Sequence, residues 1–136
     1  MRIIAKLVSI TAVLVMGGLI AEPAFAGTKD TPPAFIDTAL RRAGGTLGTS
    51  RNSVDNIQYV MCYSVVQLYE GSVFTTATCG VRDSTGHVAV CWTDTPDMVR
   101  VIQSMSSDSL VSFDWDASGS CTRVMVIHSS SYETNR

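Results

Sequence analysis

The run IQYVMCYSVVQLYEGSVFTTATCGVR, residues 57–82, decides the fold. Its apolar residues recur every second position, the period of a strand with one buried face. Val60, Cys62, Val66 and Leu68 share one side of the first half, with Ser64 among them. Val73, Ala77, Cys79 and Val81 share one side of the second half, and Glu70-Gly71 between the halves reads as a tight turn. Pairing Tyr69 with Ser72 sets Leu68 beside Val73, Val60 beside Val81 and Cys62 opposite Cys79. The apolar and cysteine patterns therefore choose the same register, and a slip of one residue would destroy both.

The pattern continues downstream. Asp83-Ser84-Thr85-Gly86 makes the next turn, and HVAVCW, residues 87–92, returns as a strand. Pairing Arg82 with His87 places Val88, Val90 and Trp92 on the face of Cys79 and Val81, and turns Cys91 away from it. A helix then starts with Thr95 as N-cap, Pro96 at the first helical position and Asp97 in the first turn. Met98, Val101, Ile102 and Met105 fall at helical spacing and are expected on the core. Residues 109–116 alternate again, with Val111, Phe113 and Trp115 on one side, and residues 121–129 form the last strand.

Three strands, a helix and two strands predict a mainly β domain over residues 57–130, arranged as an OB-like five-stranded Greek-key barrel. The alternative is an open antiparallel sheet packed on one helix. In the barrel the third and fifth strands are neighbours. The expected disulfides are therefore Cys62–Cys79 and Cys91–Cys121. No C-x-x-C spacing or nearby histidine pair supports zinc.

The stretch DWDASG, Asp114 to Gly119, matches the opening of a calcium loop, with Asp114, Asp116 and Ser118 at ligand positions. The residue twelve along, where such loops carry a bidentate glutamate, is Met125. The stretch is therefore read as a polar hairpin turn, and no metal or other cofactor is expected.

Upstream, residues 1–26 have the form of a secretory signal peptide. Arg2 and Lys6 precede an apolar segment, Glu22-Pro23 ends it, and Ala24-Phe25-Ala26 predicts cleavage before Gly27. The product is expected in the periplasm or outside the cell, where cysteines are oxidised. Residues 27–56 read as a polar, Gly/Ser-rich arm, with AFIDTALRRA (residues 34–43) a short helix presenting Phe35, Ile36 and Leu40. Residues 131–136 read as a tail.

The full chain of 136 residues carries ten basic and twelve acidic side chains. Cleavage would leave eight against eleven, a mildly acidic product with no footprint for nucleic-acid phosphates. Nothing after the leader is long and apolar enough to span a membrane as a helix. The chain also lacks G-x-S-x-G, H-E-x-x-H and phosphate-loop motifs, and its four cysteines are expected in disulfides. His87 and His128 are expected as exposed strand residues. The sequence reads as a non-enzyme.

What stands out instead is the other side of the first hairpin. Tyr59, Met61, Tyr63, Val65 and Phe74 point away from the expected core. Such a cluster on a small exported domain is covered by a flanking segment, buried in a homo-oligomer, or open to a ligand. The candidate ligand- or partner-binding residues are Tyr59, Met61, Tyr63 and Phe74. The function expected is an exported binding module for a glycan, peptide or protein. The alternative is a subunit of a secreted assembly or a secreted enzyme inhibitor. At the level of architecture, a small disulfide-bonded OB-like domain resembles the receptor-binding B subunits of bacterial toxins, which implies self-association.

Overall fold

A computed structural model describes residues 29–132 of the chain. The expected leader and the last four residues lie outside them. The described residues fold into two antiparallel sheets that share one core, with one substantial helix. The smaller sheet contains β3 (Tyr59–Tyr69), β4 (Ser72–Arg82) and β5 (Val88–Thr93), in that order. The larger has the order β1 (Phe35–Asp37), β2 (Arg42–Thr46), β6 (Leu110–Trp115) and β7 (Cys121–Ile127). Neither sheet closes on itself, so the expected barrel is corrected to two packed sheets. The third and fifth strands of the expected barrel, β5 and β7, meet only through the isolated bridge between Trp92 and Ser120 and through the Cys91–Cys121 bond.

The β3–β4 register is Tyr69 with Ser72, Leu68 with Val73, Cys62 with Cys79 and Val60 with Val81. The Cys62–Cys79 disulfide joins these two neighbouring strands, while Cys91–Cys121 ties one sheet to the other. The next register differs from expectation by one residue. Arg82 pairs with Val88, not His87. Asp83 causes the difference: its Oδ1 accepts the backbone N–H groups of Thr85 and His87, so His87 is held in the loop. One extra loop residue reverses the faces of β5. Ala89, Cys91 and Thr93 point inward, beside Val81, Cys79 and Ala77. Val88, Val90 and Trp92 point outward.

The segment expected as an arm supplies the first two strands of the larger sheet. Residues 34–43 form no helix. Asp37 Oδ1 accepts the N–H of Leu40 at 2.9 Å, and this turn folds β1 back on β2. β2 then lies between β1 and β6. Gly44, in the segment read as a Gly/Ser-rich arm, permits that position. A Cβ there would sit 2.5 Å from the Val111 carbonyl oxygen, so only glycine allows β6 so close. A short helix, α1 (Leu47–Arg51), leads from β2 toward β3.

The core between the sheets centres on Phe113, Val111, Val81, Ala43 and the Cys79 and Cys91 pair. Helix α2 (Pro96–Gln103) closes one end. Pro96 and Asp97 occupy its first turn, but the Thr95 side chain makes no cap bond. Val99 and Ile102 are its buried residues, with Met98 and Met105 packed partly against the core. Val101, expected inside, is on the exposed side. At the margins Asp30 N–H donates to the Ser131 carbonyl, and Tyr132 is buried. No helix among the described residues is long and apolar enough to cross a membrane.

Candidate functional site

The outer face of β3–β4–β5 gathers the largest group of exposed apolar side chains. It is built in rows across three strands: Tyr59, Arg82 and Val88; Met61, Gly80 and Val90; Tyr63, Thr78 and Trp92. Val65 with Thr76 and Gln67 with Phe74 extend it along the hairpin. At about 3.3 Å per residue, the face runs roughly 25 Å from the Tyr59 row to the Phe74 row. Gly80 makes the middle row continuous. A Cβ there would meet Met61 Cε at 3.0 Å and Val90 Cγ2 at 3.7 Å, so those two side chains lean together over the bare backbone.

Three of the four candidate residues, Met61, Tyr63 and Phe74, are exposed on this face, and Trp92 joins them at 48% exposure. Tyr59 is half-buried beside Leu47, Ser50 and Arg51, where α1 reaches β3. Among the described residues, the flanking segment does not cover this face. β1 and β2 belong to the other sheet, Ile36 packs on the core, and Leu40 lies exposed in the β1–β2 turn. The shorter turn expected from the sequence places Val88, Val90 and Trp92 inward, and the observed register turns them outward. The signal that finds them is the capacity of an aspartate followed by Ser-Thr-Gly to hold one more residue in its turn.

On the opposite side the hairpin extends past the core. Val66, Leu68 and Val73 point to the inner side, as expected, yet are 64%, 73% and 67% exposed. A groove of about 560 Å³ separates this part of the hairpin from α2, lined by Val66, Val73, Pro96, Val99, Arg100 and Gln103. Gln103 Nε2 donates to Ser64 Oγ at 3.4 Å across it.

The remaining polar clusters are structural. Asp114 forms a two-pronged pair with Arg42, Nε to Oδ1 at 2.8 Å and Nη2 to Oδ2 at 2.9 Å, with Arg123 at 3.9 Å. This hydrogen-bonded pairing holds its carboxyl below the usual range. Asp116 Oδ1 accepts from Ser118 N–H, Ser118 Oγ–H and Ser120 N–H, which lowers its pKa also and closes the β6–β7 turn around Gly119. The two carboxylates serve separate partners, and DWDASG is built as a turn. Among the described residues no group of three or more metal-ligating side chains converges.

One arrangement was missed in the sequence. His128 Nδ1 lies 3.1 Å from Ser109 Oγ and 3.2 Å from Ser106 Oγ. Ser109 is fully buried and Ser106 N–H donates to its hydroxyl, so the trio fastens the loop after α2 to the end of β7.

No family model, curated protein or solved structure matches this chain.

Proposed function

We propose that this protein is an exported, non-enzymatic binding module that holds a protein partner on the outer face of β3–β4–β5. The carrying observation is that Met61, Tyr63, Phe74, Val88, Val90 and Trp92 are exposed together on one sheet face. The charged members of the rows reduce to the half-buried Arg82 at one end. Exposed apolar patches of this extent on small proteins mark interaction surfaces. Aromatic residues and methionine are the types enriched where proteins meet, and charge is depleted there. An open sheet face lined by apolar side chains suits a protein surface, whereas small-molecule sites are concave. The two disulfides and the leader-like residues 1–26 support an oxidising compartment outside the cytoplasm.

The test compares oxidised residues 27–136 with a Tyr63→Ser/Trp92→Ser variant on arrays of exported proteins and, in parallel, of glycans. A protein ligand bound by the parent and lost in the variant is the expected result. A glycan ligand lost in the same variant would replace the protein reading. Ligands bound equally by both chains would remove this face from the function.

A further inference from the structure

The distal part of the β3–β4 hairpin is a two-stranded ribbon wet on both sides. Val66, Leu68 and Val73 are exposed on one side, and Val65, Tyr69 and Phe74 on the other. Such a ribbon is marginal in water without a further strand or layer. β3 is also the terminal strand of its sheet. From Tyr59 to Tyr69 it contains no charged residue, no proline and no glycine, the features that normally keep edge strands apart.

The backbone directions follow from the turn. Tyr69 and Ser72 flank a two-residue turn and form a hydrogen-bonded pair, so pairs alternate from there. The even-numbered residues are the non-hydrogen-bonded positions, in agreement with the 4.1 Å Cα–Cα separation of Cys62 and Cys79. The N–H and C=O groups of Ser64, Val66 and Leu68 therefore point away from β4. Among the described residues, no turn or loop backbone bonds to them.

The geometry points to a second copy of this chain as the occupant of that edge, paired antiparallel through β3 about a two-fold axis at Val66. A two-fold contact requires a self-complementary surface, and residues 63–69 have one. Around Val66, Tyr63 falls opposite Tyr69 of the second copy, Ser64 opposite Leu68, and Val65 opposite Gln67. Both Val66 residues meet at the centre, and no like charges are opposed. The outward backbone groups of Ser64, Val66 and Leu68 coincide in this register, giving a continuous β4–β3–β3–β4 ribbon. Both β3 edges are consumed, so the assembly stops at two. The contact uses the strand edge and leaves the outer face of each copy open. It stands independently of the proposed binding function and would present two such faces side by side.

Light scattering after size exclusion, on oxidised residues 27–136, should give twice the chain mass. Val66→Asp places two carboxylates side by side in the central pair and should weaken association at least about a hundredfold. Val66→Lys should do the same, and an equimolar mixture of the two variants should recover the dimer. Val66 is largely exposed, so circular dichroism of each variant should match the parent. A parent that remains monomeric as concentration rises, an open-ended polymer, a Val66→Asp chain that still dimerises, or a mixture that stays monomeric would each overturn the assignment. Trp92→Ser alone, on β5 and away from the paired edge, tests ligand binding and should leave the mass untouched, so the two readings fail separately.

Discussion

The two halves of the β3–β4 hairpin share their strands and their alternation but not their burial. Near the start of β3, Val60 faces Val81 and both are buried under the second sheet. Eight residues along the hairpin, Leu68 faces Val73 in the same orientation, and both are exposed. Alternation therefore fixes which side of a sheet a residue occupies. Burial depends on whether another element reaches that side. Here α2 and the larger sheet cover only the proximal half, which leaves the distal half for contacts outside the fold.

The sharpest test of this contrast uses one residue type on each side of it. Phe113 is fully buried between the sheets and Phe74 is 53% exposed on the distal hairpin. Phe113→Ala should cost about 3–5 kcal/mol of unfolding free energy, from lost burial and the cavity left behind. Phe74→Ala should fall within about 0.5 kcal/mol of the parent. Urea unfolding of the two variants measures both. A Phe74→Ala cost of several kcal/mol would show that the distal half is covered in solution.

The disulfides extend the comparison. Cys62–Cys79 links two strands already paired along their full length, whereas Cys91–Cys121 joins two sheets that pack through side chains and share only one isolated backbone bridge. Chain entropy alone makes the two nearly equal, about 3 kcal/mol each, because closure depends only weakly on their separations of 17 and 30 residues. The native contacts separate them. Replacing Cys91 and Cys121 by serine should lower the melting temperature more than replacing Cys62 and Cys79. The reverse order would mean that the hairpin, not the contact between sheets, is the weaker link.

These contrasts show what the sequence made legible. The β3–β4 register was readable because cysteines and apolar residues imposed the same constraint on one local hairpin. β5 was misread by one position because Asp83 gathers the N–H groups of both Thr85 and His87, and a single loop residue reverses every face after it. That reversal hid Val88, Val90 and Trp92, half of the candidate face. β2 was hidden for a different reason. Gly44 has no side chain to show a strand period, and its purpose appears only where the Val111 carbonyl passes 2.5 Å from its missing Cβ. The exposure of Val66, Leu68 and Val73 is beyond local pattern, since it depends on where α2, further along the chain, comes to rest. Tyr63 and Phe74 were legible because their outward direction followed from the register alone.

The smallest expected effect lies in the turns at the two ends of β3. Glu70-Gly71 at the exposed end relies on positive φ angles, 49° and 80°. The loop entering the covered end is held by one carboxylate. Asp55 Oδ1 accepts the N–H groups of Ile57 and Gln58 and the Ser53 hydroxyl, and Oδ2 accepts from Gln58 Nε2. The Ile57 N–H and then the Gln58 side chain do most to lower its pKa from 3.8 to about 2. A carboxyl that ionises more readily when folded stabilises the fold above its unfolded pKa. That contribution is lost as pH falls through the folded value. Acidification from about 4 to about 2 should therefore loosen residues 53–58, seen as faster amide exchange at Ile57 and Gln58. The Glu70-Gly71 turn, which depends on backbone angles, should show no matching change. Asp55→Asn should be less stable than the parent at neutral pH, and the two should converge as pH approaches 2. A constant gap across that range would mean that shape, not charge, is what Asp55 contributes.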